Sequence, residues 1–100
     1  MTLEVRDASD SITIVITGDI DHAGAEILKT TFNQISLKGK TAVIFDFKSV
    51  KYIGSSGLGK LLLFYKRLSS EKVRMRVDFA SAETRELLRE LKMDTLFNVS

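Results

Sequence analysis

The 100-residue chain has no cysteine, no proline and no tryptophan, and its single histidine is His22. Without cysteine there is no disulfide, no thiol nucleophile and no thiolate metal site. One imidazole does not make a multi-histidine centre, and the Asp and Glu residues do not cluster on one predicted face, so no metal is expected. Met1-Thr2-Leu3-Glu4 lacks a basic segment leading into an apolar one, and no apolar run approaches the length that spans a bilayer. These absences predict a cytoplasmic protein without membrane insertion. Hydrophobic residues, at 44%, suffice for one ordinary core, and charged residues, at 28%, for its solvated surface, which predicts one domain over residues 1–100.

The net charge of +2 conceals an uneven distribution. Residues 1–37 carry 2 basic against 6 acidic side chains, residues 38–76 carry 10 against 2, and residues 77–100 carry 3 against 5. The basic centre suits phosphate, nucleic acid or an acidic protein. Its cations are nevertheless scattered over a loop, a strand and a helix with no interleaved aromatics, which argues for a solvated face and against direct nucleic-acid contact.

Periodicity assigns the elements. Leu3 to Arg6 reads as a short strand, joined by a turn at Asp7-Ala8-Ser9-Asp10 to Ile12–Thr17, where Ile12, Ile14 and Ile16 share one face. The two form a hairpin. Gly18 stops the second strand, and Asp21 is placed to cap a helix bearing Ala25, Leu28, Phe32 and Ile35, which Lys38-Gly39-Lys40 ends. Thr41–Phe47 is almost continuously apolar, the pattern of a central strand covered on both faces.

A second helix spans Leu58–Leu68, with Leu58, Leu61, Leu62, Tyr65 and Leu68 inward; Leu63 and Phe64 fall outside that stripe, either as a partner surface or under another element. Val73–Phe79 alternates strictly and is expected to bury Val73, Met75, Val77 and Phe79 near a sheet edge. Ser81 caps a third helix with Leu87, Leu88 and Leu91 as its stripe, and Leu96–Val99 offers a last short strand. The order β-β-α-β-α-β-α-(β) predicts the α/β class, an open mixed sheet of four to five strands with helices packed on it.

Gly54-Ser55-Ser56-Gly57-Leu58-Gly59 joins the apolar strand to the second helix. Hydroxyls at a helix start lie beside N–H groups that lack intrahelical acceptors, so these serines suit capping, anion binding or phosphorylation, capping being the commonest role. Gly54 to Gly59-Lys60 fits the phosphate-binding pattern of nucleoside triphosphatases, but Leu61 stands where the magnesium-binding Ser or Thr belongs. The dinucleotide fingerprint fails as well, because Leu62 follows Gly57-Leu58-Gly59 where a glycine is required. A serine hydrolase built from His22 and Asp46 has no support in the spacing.

Thr17-Gly18-Asp19-Ile20-Asp21-His22, the strand ending Asp46-Phe47, and Tyr52-Ile53-Gly54-Ser55-Ser56-Gly57-Leu58-Gly59 with Leu62 and Tyr65-Lys66-Arg67 resemble the STAS domain of bacterial anti-sigma factor antagonists. The resemblance extends through Ser81–Leu91 to Leu96-Phe97. It implies a STAS-like fold and a binding protein with neither enzymatic activity nor cofactor. In that family the loop usually reads Asp-Ser-Ser-Gly-Leu-Gly, and a partner kinase, itself the anti-sigma factor, phosphorylates the first serine.

By position that serine is Ser55, and Asp21 is expected beside the same loop. Implied partners are the anti-sigma factor serine kinase and a serine phosphatase acting on phosphorylated Ser55; self-association into a homodimer stays open. The partner surface is expected to comprise Asp21, His22, Gly54, Ser55, Ser56, Gly57 and Leu58. Gly54 departs from the family pattern, removing the acidic residue beside the phosphoacceptor. That departure keeps an alternative in play, a STAS scaffold or regulatory subunit of a signalling or transport complex with no phosphoswitch.

Overall fold

The computed structural model describes all 100 residues. The elements run β1 (Thr2–Asp7), β2 (Ser11–Thr17), α1 (His22–Gln34), β3 (Ala42–Ser49), α2 (Ser55–Ser70), β4 (Arg74–Asp78), α3 (Ala82–Glu90), a single 3₁₀ turn at Met93–Thr95 and β5 (Asn98–Val99). This is the expected order, with the last strand present and the sheet five-stranded. The hairpin β1–β2 is antiparallel and every later pairing is parallel. The first helix ends at Gln34, four residues before the Lys38-Gly39-Lys40 segment expected to stop it, and Leu37 in the following loop is buried.

The strands lie in the spatial order β1-β2-β3-β4-β5, so the chain advances across the sheet without reversing. Right-handed crossovers that all step the same way return their helices to one face. Ile12, Ile14, Ile16, Val43, Phe45, Phe47, Met75 and Val77 line that face and belong to the single core. β3 is the central strand, but its covering is one-sided: Val43, Phe45 and Phe47 are buried while Ala42, Ile44 and Asp46 between them are partly open. The apolar run therefore overstated its burial, because a sheet that never reverses direction has nothing to place on its second face.

Phe32 of α1, Phe64 of α2 and Phe45 of β3 form a three-ring stack with centroid separations of 4.2, 5.7 and 6.4 Å. Arg67 seals it, its guanidinium 4.9 Å above the Phe32 ring and its Nη1 donating to the Phe32 carbonyl at 3.1 Å. Phe64 is thus a core residue, and of the two side chains left outside the inward stripe only Leu63 faces water, at 53% exposure. The buried stripe of α2 is Gly57, Leu61, Phe64 and Leu68, while Leu58, Leu62 and Tyr65 flank it half-buried.

Phe79 departs from its expected place in the alternation of β4. The strand ends at Asp78, and Phe79 takes a left-handed backbone, φ 60°, that turns its ring outward to 62% exposure. Ser81 caps α3 as expected, its hydroxyl accepting from the Thr84 N–H at 3.1 Å. On that helix Thr84 and Leu88 are the buried residues, and Leu91 is largely exposed. No helix is long and apolar enough to cross a membrane.

Candidate functional site

The site forms where two loops meet at the C-terminal ends of β2 and β3. The register between these strands shifts after Val15, bringing Thr17 opposite Ser49. Gly18 then turns the chain with φ 105°, a conformation that side chains rarely adopt, and donates to the Ser49 carbonyl at 3.0 Å. Beyond it the Ile20 N–H donates to the Tyr52 carbonyl at 2.8 Å, and the Gly54 N–H to the Ile20 carbonyl at 2.9 Å, a one-residue parallel bridge between Ile20 and Ile53. This short ladder places the starts of α1 and α2 side by side.

Asp21 caps α1, its carboxylate accepting from the Gly24 N–H at 2.8 Å. His22 opens the helix, and its Nδ1 lies 3.1 Å from Ser56 Oγ in the first turn of α2. Gly54 is the N-cap of α2 and supplies no side-chain acceptor, while Ser55 and Ser56 already belong to the helix. The expected serine cap is therefore absent, because the helix begins three residues earlier than its apolar pattern suggests. The Leu58 N–H is the first to reach back, bonding to the Gly54 carbonyl at 3.0 Å. The N–H groups of Ser55, Ser56 and Gly57 precede that bond and point outward at the positive end of the helix dipole.

The two hydroxyls differ. Ser56 is half-buried and bonded to His22, whereas Ser55 is exposed and its side chain makes no hydrogen bond. Gly57 packs beneath them: a Cβ there meets Ile20 Cγ2 at 2.7 Å and Ile53 Cγ1 at 2.8 Å, so only glycine lets α2 sit this close to the bridge. Gly54 is different. Its φ of −91° and ψ of −179° suit any residue, and a Cβ meets only the tip of Tyr52, a ring 55% exposed and free to move. Neither α1 nor α2 has an acidic residue in its first turn.

Asp21, His22, Gly54, Ser55, Ser56, Gly57 and Leu58 are thus brought to one end of the sheet. Tyr52 joins them there as an exposed ring, and the Phe79 turn leaves the same end of the adjacent strand β4. Sequence patterning did not reveal either ring; the positive φ that turns Phe79 out has no signature in a strictly alternating segment. The basic side chains Lys72, Arg74 and Arg76 gather at the opposite end, along a cleft of about 540 Å³ with Thr41, Ala42 and Asn98. No trio of His, Asp or Glu side chains converges on a point that suits a metal ion.

The arrangement sets two helix starts side by side with one free hydroxyl, that of Ser55, between them and solvent. The STAS domain family matches residues 2–100, and the chain belongs to that family. A STAS-domain containing protein of Pseudomonas aeruginosa (strain UCBPP-PA14) is 26% identical over 89 residues, which cover 89% of this chain and 87% of that protein. An anti-sigma factor antagonist from Mycobacterium paratuberculosis superposes with a TM-score of 0.85 at 24% identity, over 98% of this chain and 83% of that one. The Bacillus cell fate determinant SpoIIAA in its phosphorylated form superposes with a TM-score of 0.78 at 18% identity, over 99% and 91% of the respective chains. These likenesses establish the fold.

Proposed function

We propose that the chain is an anti-sigma factor antagonist controlled by phosphorylation of Ser55. Unphosphorylated, it binds an anti-sigma factor kinase through the Asp21-His22 and Gly54–Leu58 surface and frees a sigma factor. Phosphorylated, it lets go, and a serine phosphatase resets it. The observation that carries this reading is the exposed, unbonded Ser55 hydroxyl beside a Ser56 that is tied to His22. A phosphate on Ser55 brings about −1.5 to −2 charges to a helix N-terminus with unpaired N–H groups, where it is tolerated, while its bulk and charge disrupt a complementary protein surface. The antagonist itself performs no chemistry; ATP and magnesium belong to the kinase, and the exchange takes place in the cytoplasm.

Gly54 favours a second reading, because the carboxylate that usually precedes the acceptor is missing: a STAS scaffold or regulatory subunit without a switch. Incubation with the cognate kinase and ATP, followed by mass spectrometry of the peptide containing Ser55 and Ser56, separates the two. Phosphate on Ser55 supports the switch. An unmodified peptide, under conditions where the kinase labels another substrate, supports the scaffold.

A further inference from the structure

β1 is the long open edge of the sheet. The other edge, β5, offers only Asn98 and Val99, whereas β1 runs six residues without proline and pairs with β2 without a register shift. Such an edge presents unpaired backbone groups to any strand that fits. Which groups face outward follows from the hairpin. The Ala8 N–H donates to the Ser11 carbonyl at 2.9 Å, and these two residues continue the register that sets Asp7 opposite Ile12. Ala8 and Ser11 are therefore a hydrogen-bonded pair, and in an antiparallel ladder such pairs recur at every second residue. Thr2, Glu4 and Arg6 direct their N–H and C=O groups to β2. Leu3, Val5 and Asp7 direct theirs to solvent.

We infer that this edge joins two copies of the chain, β1 to β1, antiparallel about a two-fold axis at Val5, uniting the two five-stranded sheets into one. Outward groups meet only when Leu3, Val5 and Asp7 oppose one another, so the register moves in steps of two residues. Two registers keep most of the strand paired. One centres on Glu4 and sets the two Glu4 carboxylates face to face, a repulsive contact. The other centres on Val5 and sets Glu4 of each copy opposite Arg6 of its mate. Charge complementarity selects the second.

Glu4 and Arg6 already form an ion pair along the strand on the open face of the sheet. In the Val5-centred register they fall at a non-hydrogen-bonded position, where facing side chains approach most closely. Val5, 43% exposed on the core side, meets its own copy. The ladder adds roughly six interchain hydrogen bonds, two for each hydrogen-bonded pair. A contact through one strand belongs to the small, transient class of interfaces, so the dimer forms at high protein concentration and dissociates on dilution.

Sedimentation equilibrium of the full chain from micromolar to millimolar concentration tests this, read together with amide exchange by NMR. The expected result is a monomer–dimer equilibrium in which the amides of Leu3, Val5 and Asp7 gain protection as the dimer forms. Glu4→Arg alone and Arg6→Glu alone each stay monomeric where the parent is dimeric. Their equimolar mixture associates, because one chain is then basic at both positions and the other acidic at both. A rescue of this kind is not available to variants that merely unfold. A parent that remains monomeric throughout, a single variant that dimerises like the parent, or a mixture that fails to associate overturns the proposal.

Discussion

His22 Nδ1 and Ser56 Oγ lie 3.1 Å apart, 34 residues separated in sequence, and bind the first turn of α1 to the first turn of α2. The contact leaves Ser55 as the untethered member of an adjacent pair of hydroxyls. His22→Ala releases Ser56 yet leaves Ser55 in its exposed place, so phosphate is expected to remain on Ser55 in this variant and to vanish only with Ser55→Ala. Site mapping by mass spectrometry checks it. Transfer of phosphate to Ser56 in His22→Ala identifies the histidine tether as what selects between the serines.

Gly57 and Gly59 share a helix and predict opposite outcomes. Gly57→Ala drives a methyl group into Ile20 and Ile53, both buried, and is expected to cost about 1–3 kcal/mol. Gly59→Ala meets nothing within 4 Å and gains helix propensity, about 0.5–1 kcal/mol of stabilisation. Urea denaturation of the two variants beside the parent measures both signs.

Phe64 and Leu63 are neighbours with different roles. Phe64, 2% exposed in the three-ring stack, is expected to cost about 3–5 kcal/mol on truncation to Ala. Leu63→Ala, at an exposed position, changes stability by about 0.5 kcal/mol or less. Thermal unfolding separates them, and only Leu63→Ala is then a clean probe of partner binding.

Much of this architecture is legible along the sequence. The β-branched alternation of β2, the Asp21 and Ser81 caps and the order of elements all arise from local rules that the fold obeys. What the sequence conceals depends on contacts between distant segments. The one-sided sheet follows from strand order, which periodicity does not encode. The inward stripe of α2 passes through Phe64 because that ring completes a stack with Phe32 of α1 and Phe45 of β3. The pairing of His22 with Ser56 requires the Ile20–Ile53 bridge to align two helix starts. That Ser55 and Ser56 stand where a loop meets a helix is legible in the glycine-serine run, whereas the exposure of the one and the tethering of the other come from the fold.

Gly54→Asp restores the carboxylate that the family loop usually carries. The backbone accepts it, Tyr52 shifts aside, and an Asp at the N-cap stabilises the helix by a few tenths of a kcal/mol, about the gap between Gly and Asp caps. Phosphorylation by the cognate kinase is expected to accelerate. Steady-state rates on the parent and the variant measure it, and equal rates show that the carboxylate is dispensable for recognition.

Binding of the anti-sigma factor to the parent and to Ser55→Asp, by calorimetry, with circular dichroism on the same samples, tests the phosphoswitch most directly. The phosphoswitch predicts a folded variant that binds at least about tenfold more weakly, a loss of about 1.4 kcal/mol. A folded Ser55→Asp that binds as tightly as the parent contradicts it.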